Sequence, residues 1–477
     1  MIITVDSTIM VQNPTPELLQ WCNENLVIDN PEYHKMLRMG KRAWNIPKKI
    51  VFYTYHDGKL LLPRGLLKDI WDMYPDMSLY RHRMNKCQPV EFRSEIQLRD
   101  YQKPAVAAVR AGKQGIIVMP CGAGKTETAL QCIAELGQPA LWITHTTDLL
   151  NQSLSRAKSR LHLQPGEYGV IGGGKYAVGT HITFATVQSL RNKDLDSLSW
   201  RFGTVVVDEC HRAFMSGSKM SMFQDVLERL PALYRIGVTA SESRSDGLIQ
   251  SMYYLMGRKL YEVPQSALNN AGNLVIPEVI AVPTGYQHKG DSTLEFSAML
   301  CNISVNSDRN HLIAKHIMAE VSKHSCLVLS DRLEQLELLQ QFIQGQVPDL
   351  SMEYVNGKTG GRARGDAIER MKSGQSAVLF ATYTLAKEGL DIPCLDRLFL
   401  CTPHRDKVAI QQSVGRIMRR SRDKPDAIVY DFIDTSEGLC ISQYKSRKTV
   451  YRKLGCSVSE GNMKEYQVRL KGVNNES

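Results

Sequence analysis

Four short strings carry the residues whose types and spacing could do chemistry: MPCGAGKT (Met119–Thr126), VVVDECH (Val205–His211), GVTAS (Gly237–Ser241) and QQSVGRIMRR (Gln411–Arg420). In the first, an apolar run precedes the loop Pro120, Cys121, Gly122, Ala123 and Gly124, and a helical pattern opens at Lys125. Small residues let backbone N–H groups point at phosphate oxygens, and a helix N-terminus adds a favourable field. Lys125 would reach β and γ phosphates, and Thr126 would set its hydroxyl on magnesium. The strict phosphate-loop pattern asks for glycine where this chain has Met119, so the bland alternative, a glycine-rich turn, is answered only by the other strings. In the second string, Asp208 would hold magnesium and Glu209 would orient and deprotonate an attacking water, since phosphoryl transfer is mostly positioning and charge neutralisation. A helix-capping Asp with a first-turn Glu is the plainer reading of that pair, and Lys125 tips the balance towards catalysis. In the last string Gln412, Arg416 and Arg419 stand four and three apart, hence on one helical face. Arginines aimed at a γ phosphate stabilise charge developing there; a solvated basic face is the alternative, and it suits Arg420 and Arg422.

The elements that must position these groups follow from the apolar pattern. GIIVMP, ALWITH, ITFAT, TVVVDE and RIGVTA are short, continuously apolar runs alternating with helical stretches. That alternation predicts a buried parallel sheet whose strand ends carry the loop and the acid pair. SCLVLS, MEYVNG, AVLFAT, RLFLCT and AIVYDF repeat the design further on. The fold class is therefore α/β, with one parallel-sheet domain over residues 93–263, a linker over 264–306 and a second parallel-sheet domain over 307–434. Residues 1–92 precede them as a small α+β domain, in which Asp57-Gly58 between apolar runs marks a hairpin. Residues 435–477 form a short basic extension.

The chain has 477 residues, a formal net charge of +10 and 11 cysteines without a CxxC pair, an arrangement that argues for reduced thiols. Cys121 and Cys210 read as small residues packed near the nucleotide, ahead of a redox switch at Cys121. No apolar run is long enough to span a membrane, and MIITVDSTIM lacks a basic leader, so a cytoplasmic protein is expected. The basic excess suits a polyanionic partner. It is concentrated between Lys35 and His56, where Lys35, Arg38, Lys41, Arg42, Lys48 and Lys49 occur with no acid. Nucleic-acid contact is placed ahead of a merely solvated face there. Aromatic content of 7% offers no obvious base-stacking platform.

The strings LRDYQ (Leu98–Gln102), GAGKT, ATVQSL (Ala185–Leu190), DECH, GVTAS, ATYTLAKEGLDIP (Ala381–Pro393) and QQSVGRIMRR resemble, in order, the motifs of superfamily 2 helicases. Within that superfamily the chain resembles the group of phage UvsW-type, XPB and RadD helicases and restriction-enzyme motor subunits. That group carries TATP-x-R-x-DG where this chain reads TASESRSDG, which keeps Thr239, Ala240, Arg244, Asp246 and Gly247 but has Ser241 in place of a threonine and Glu242 in place of a proline. The resemblance implies two tandem RecA-like domains, ATP and Mg2+ as cofactors, and DNA, forked or branched, as partner. It also assigns residues. Gln102, with Arg99 beside it, would read the adenine edge; Gly389 and Asp391 would border the nucleotide; His211 and Gln412 would couple the domains. His145, Thr146, Thr186, Gln188 and Thr382 would touch the nucleic-acid backbone, although Thr186 and Thr382 could equally be strand-end caps and His145 a partly buried polar residue.

Four readings stay open at this point: a helicase or branch-migrating enzyme on forked or branched DNA, a duplex translocase that does not unwind, an RNA helicase, and a binding scaffold without catalysis. No nuclease box stands in the flanks. Intact Lys125, Asp208, Glu209, Arg416 and Arg419 argue against the scaffold.

Overall fold

The structure is a computed structural model of the chain, described here for residues 1–215, 220–240, 242, 248–270, 272, 274–289, 296–387, 390–421 and 424–460. Two compact units emerge, Met1–Pro264 and Gln265–Ser477.

The first unit is built on an eight-stranded sheet. Its order is Lys175–Ala177, Tyr168–Gly172, Ile182–Thr186, Ala140–Thr144, Thr204–Asp208, Tyr234–Thr239, Gln114–Val118, Lys259–Glu262, and every pairing is parallel except that of the first strand. The predicted continuous apolar runs are the central strands. They are buried on both faces because helices cover both sides, as a parallel sheet requires. The strand Tyr168–Gly172 escaped the sequence reading because two of its five residues are glycines that break the apolar run. Gly169 is required there: a Cβ would collide with the backbone around Ala177–Gly179.

The N-terminal residues carry their own five-stranded sheet, and the Asp57-Gly58 hairpin forms between Thr54–His56 and Lys59–Pro63. Both turn residues have positive φ, 50° and 68°, as a tight turn matching strand twist demands. This sheet is not a tethered accessory. Its core runs without a break into that of the parallel sheet. The buried Arg64 gives its guanidinium to the carbonyls of Ala232 and Leu233 at 2.6 and 2.8 Å. The buried Arg235 bonds Leu255, Leu227 and Leu230 and reaches back to the carbonyl of Ser7 at 3.2 Å. Neither guanidinium is hydrogen-bonded to a carboxylate; burial lowers the pKa of both, and the carbonyl dipoles, with Asp6 near both and Glu228 near Arg235, oppose that cost. A Cβ at Gly65 would collide with the carbonyl oxygens of Tyr253 and Tyr254, so glycine sets how closely the two parts approach.

The second unit has a seven-stranded, wholly parallel sheet in the order Met352–Val355, Val378–Ala381, Cys326–Leu329, Arg397–Leu400, Ile428–Ile433, Glu278–Pro283, Ser457–Ser459. Two expectations are corrected. The segment 264–306, read as a linker, supplies the strand Glu278–Pro283 and the helix Phe296–Val305. The basic extension is likewise part of the domain. Its helix Gly438–Leu454 turns Arg447, 2% exposed, onto Asp431 at 2.8 and 2.9 Å, and Tyr451 bonds the same carboxylate at 2.7 Å. Arg447 is an interior ion pair, not a surface cation. All 11 cysteines are unpaired. No described helix is long and apolar enough to cross a membrane.

Candidate active site

Three neighbouring strands of the first unit end flush. Asp208 pairs with Val238, and Thr239 pairs with Val118. The loop after Val118, the end of Tyr234–Thr239 and the acid pair after Val207 therefore open on one edge, where parallel sheets bind ligands. Gly122 and Gly124 both have φ of 80°, and Gly124 turns the chain into the helix Lys125–Leu136. A side chain at Gly124 would meet the Gln102 amide, so the loop is held open by glycine and by what packs behind it.

That packing alters the place of Gln102. It is 3% exposed; its amide donates to the carbonyl of Ala123 at 2.9 Å and accepts the Arg99 backbone N–H at 2.9 Å. It braces the phosphate loop in this structure, with a second, longer bond from the same amide to the Gly124 carbonyl at 3.5 Å. Arg99 itself is exposed, with its guanidinium on the Tyr101 hydroxyl at 2.7 Å. Cys121 is partly exposed in the loop, whereas Cys210 is buried against Gly237 beneath the acids.

Lys125 and Glu209 meet at 3.6 Å, each with 15% of its side chain exposed. Glu209 Oε2 lies 3.3 Å from His211 Nδ1, and that nitrogen is 3.1 Å from the Thr239 hydroxyl. A polar chain thus runs from the phosphate loop through the acid pair to the GVTAS strand. Asp208 is 7% exposed, and its Oδ1 accepts the Glu209 N–H at 2.9 Å. Burial, then the Glu209 charge beside it, pushes the Asp208 carboxyl up to about 7, with Lys125 only partly opposing. Two acids facing one lysine leave a deficit of positive charge, which is what a hard dication with oxygen ligands would supply. Glu209 adopts φ 49° and ψ 50°, the left-handed region, at a cost of about 1–3 kcal/mol for a residue with a Cβ. The strain aims its carboxylate at Lys125 and His211; a regular turn would carry it elsewhere.

In the second unit the helix Lys407–Ile417 carries Gln412 and Arg416. The helical face expected to include Arg419 stops short of it. Lys424 donates to the carbonyls of Ile417 and Arg419, and Leu274 bridges to Arg419, so the chain leaves the helix first. Arg416 donates to the Ala386 carbonyl at 3.0 Å, and Arg419 is ion-paired with Asp391. Gln412 is 5% exposed, and its amide oxygen has no hydrogen-bond partner among the described residues. Gly389, Ser241, Arg244, Asp246, Gly247 and Arg422 lie outside the described residues.

Among the residues expected to touch nucleic acid, several have structural duties. Thr146 caps the helix Thr147–Arg160 through Leu149 N–H at 3.3 Å, and Thr382 receives Leu385 N–H at 3.4 Å. Thr186 is 5% exposed and bonds Ser189. Gln188 is exposed and donates to the His145 carbonyl at 2.9 Å, which joins those two segments. Lys35, Arg38, Lys41 and Arg42 are all exposed. The residue that sequence reasoning missed sits beside them: Trp44, 83% exposed, with Arg42 5.2 Å from its ring centre. A lone tryptophan in a basic stretch was the available signal, hidden by the low overall aromatic content.

A parallel-sheet ATP site of this design defines a class, and the comparisons agree with it. Residues 95–244 match the family described as type III restriction enzyme, res subunit, and residues 308–421 match the helicase conserved C-terminal domain. The chain belongs to the superfamily 2 helicases, which are ATP-hydrolysing enzymes. More particularly, it is similar to "Probable helicase D10" of Escherichia phage T5, 27% identical over 367 residues that cover 76% of each chain. It is also similar to "Putative ATP-dependent RNA helicase L396" of Acanthamoeba polyphaga mimivirus, 28% identical over 360 residues, 73% of this chain and 65% of that protein. "DNA 3'-5' translocase XPB2" of Sulfurisphaera tokodaii is 26% identical over 370 residues, 71% of this chain and 82% of the other.

Proposed function

We propose that the protein is an ATP-dependent DNA helicase that acts on forked or branched DNA in replication, recombination or repair. The observation that carries the catalytic part is the continuous chain Lys125–Glu209–His211–Thr239, which ties the phosphate loop to the strand that follows the acid pair. Lys125 and the backbone N–H groups of Cys121–Gly124 would hold the ATP phosphates. Asp208 and Thr126 would hold Mg2+, whose role when bound is to neutralise phosphate charge. Glu209 takes the proton of the attacking water, and His211 and Thr239 respond to its change of charge. Arg416 and Arg419 are assigned to charge on the γ phosphate, for which each must exchange its present partner. Gln412, buried with an unmet amide oxygen, is assigned with His211 to coupling hydrolysis to movement. The exposed cations Lys35, Arg38, Lys41 and Arg42, with Gln188, support a polyanionic partner. The name of the Sulfurisphaera relative supports DNA, and that of the mimivirus relative favours RNA as the second reading.

ATP hydrolysis measured side by side with no nucleic acid, single-stranded DNA, duplex, fork, four-way junction and RNA tests this. Forks or junctions should stimulate most. Equal stimulation by plain duplex would replace unwinding by translocation, and stimulation by RNA alone would overturn the DNA assignment. Glu209→Gln should lower the rate by about 10²–10⁴-fold with nucleotide still bound; an undiminished rate removes Glu209 from catalysis.

A further inference from the structure

We infer that Trp44 is a stacking platform for an unpaired base of a DNA strand, presented at the tip of a cationic loop in the N-terminal part of the first unit. The inference rests on the nucleic-acid reading above and adds to it a ligand chemistry and a residue. The loop follows the helix Pro31–Arg38 and returns at the strand Lys49–Val51. It is anchored at both ends by one buried residue. Asn30, 4% exposed, donates its side-chain amide to the Pro47 carbonyl at 2.9 Å and its backbone N–H to the Lys48 carbonyl at 2.8 Å. Its side chain also caps the helix through Glu32 N–H at 3.0 Å. Inside the loop Gly40 takes φ of 67°, Lys41 N–H bonds the Met36 carbonyl and Ile46 N–H bonds the Ala43 carbonyl. Ala43 is buried, so the turn is pinned at the residue before Trp44. The result is a preformed tip.

What the tip presents is unusual for a surface. Trp44 is 83% exposed, although an indole this size gains from burial. Leu37 and Met39 nearby are 51% and 56% exposed. A depression of about 580 Å³ beside them is lined by Tyr33, Leu37, Lys41, Trp44, Ile46 and Lys48. Six cations and no carboxylate occur from Lys35 to His56. An apolar protein partner would leave those cations to be desolvated without counter-charge. An anionic membrane interface would also accept an indole among cations; the helicase domains of this chain favour a nucleic-acid strand over it. A single strand satisfies both at once: phosphates meet Lys41, Arg42 and Lys48, and a base meets the indole, with Arg42 adding a cation over the ring. A paired base in a duplex offers no free face, so the platform selects strands that are open, as at a fork. The loop runs into a two-stranded sheet, Val27–Asp29 paired with Lys49–Val51, whose Ile50 lies in the core shared with the ATP-binding sheet. The platform therefore moves with the phosphate loop.

The test uses the full chain without nucleotide. Wild type, Trp44→Ala, Trp44→Phe and Lys41→Gln are titrated by anisotropy onto an oligodeoxythymidylate, a blunt duplex and a fork. Trp44→Ala should weaken the single strand and the fork by roughly 5- to 150-fold, the range for loss of one base–aromatic stack. The duplex should change by less than about twofold, and Trp44→Phe should restore most of the affinity. Lys41→Gln should weaken all three substrates alike and reduce the salt slope by about one. Quenching of protein fluorescence on adding the oligodeoxythymidylate should shrink in Trp44→Phe. Equal weakening of duplex and single strand by Trp44→Ala overturns stacking, as does single-strand affinity unmoved by Trp44→Ala when Lys41→Gln lowers it. The two readings fail separately. A wild-type enzyme that no nucleic acid stimulates sinks the helicase reading, whereas a stimulated enzyme indifferent to Trp44 sinks only the platform.

Discussion

Replacing Asp208 by Asn should make the metal-free protein more stable and abolish its catalysis. The folded carboxyl is pushed up to about 7, chiefly by burial and then by Glu209, from an unfolded value of about 3.9. The unfolded chain therefore holds fewer protons than the folded one between about pH 4 and 7. Stability contributed by this group is intact below that window, falls as pH rises through it, and the penalty is complete above pH 7. Three pKa units at 1.36 kcal/mol each put the ceiling at about 4 kcal/mol. Asn keeps an Oδ1 for the Glu209 N–H, which leaves the backbone geometry in place. Denaturant midpoints in chelator should thus favour Asp208→Asn by about 2–4 kcal/mol at pH 8 and by under about 1 kcal/mol at pH 4.5. Magnesium should close the gap by stabilising wild type alone, by about 2.7 kcal/mol at a hundredfold excess over its Kd. A variant no more stable than wild type at pH 8, or a gap of the same size at both pH values, would refute the reasoning: the carboxylate would then be neutralised within the protein and would not be waiting for a cation.

Gly65→Ala should lower the unfolding midpoint of the first unit by the equivalent of about 1–3 kcal/mol, because its Cβ collides with two carbonyl oxygens of the helix Ile249–Met256; calorimetry showing no shift would mean that the N-terminal sheet docks loosely. By the same contacts, removing residues 1–92 strips Arg235 of the Ser7 carbonyl and opens the shared core, so ATP hydrolysis should fall together with DNA binding. Intact hydrolysis in the truncated protein would contradict this. Lys424 is lowered to about 8, chiefly by burial. Its folded value lies below the unfolded one, so its stability contribution rises with pH between about 8 and 10.5. Wild type should then gain about 2–3 kcal/mol on Lys424→Met from pH 7.5 to 10 in denaturant titrations, and a pH-independent difference would show the ammonium to be solvated.

The central strands were legible because a strand buried on both faces must be apolar throughout, and Thr204–Asp208 and Ile182–Thr186 fall where the runs in the sequence stand. Legibility ends where another rule sets the residue types. Tyr168–Gly172 is glycine-rich because backbone passes against it, and Glu278–Pro283 is strand because it pairs on both sides, with Ile428–Ile433 and Ser457–Ser459, a demand no local pattern announces. The site divides the same way. Its acids, lysine and glycines have few substitutes in phosphate chemistry, so type and order reveal them. Gln102 shows the limit: an amide suits both an adenine edge and a loop carbonyl, and only the fold shows that its present bonds are to the Ala123 carbonyl and Arg99 N–H. Arg447 and Arg42 belong to equally basic stretches, yet one is closed into an ion pair with Asp431 and the other lies over an exposed indole. Charge counted along a chain states how many cations must be placated. Which of them are left facing outward for a polyanion is decided by tertiary burial: Arg447 of the C-terminal helix is taken up by Asp431, whereas the cations of the loop that carries Trp44 stay exposed.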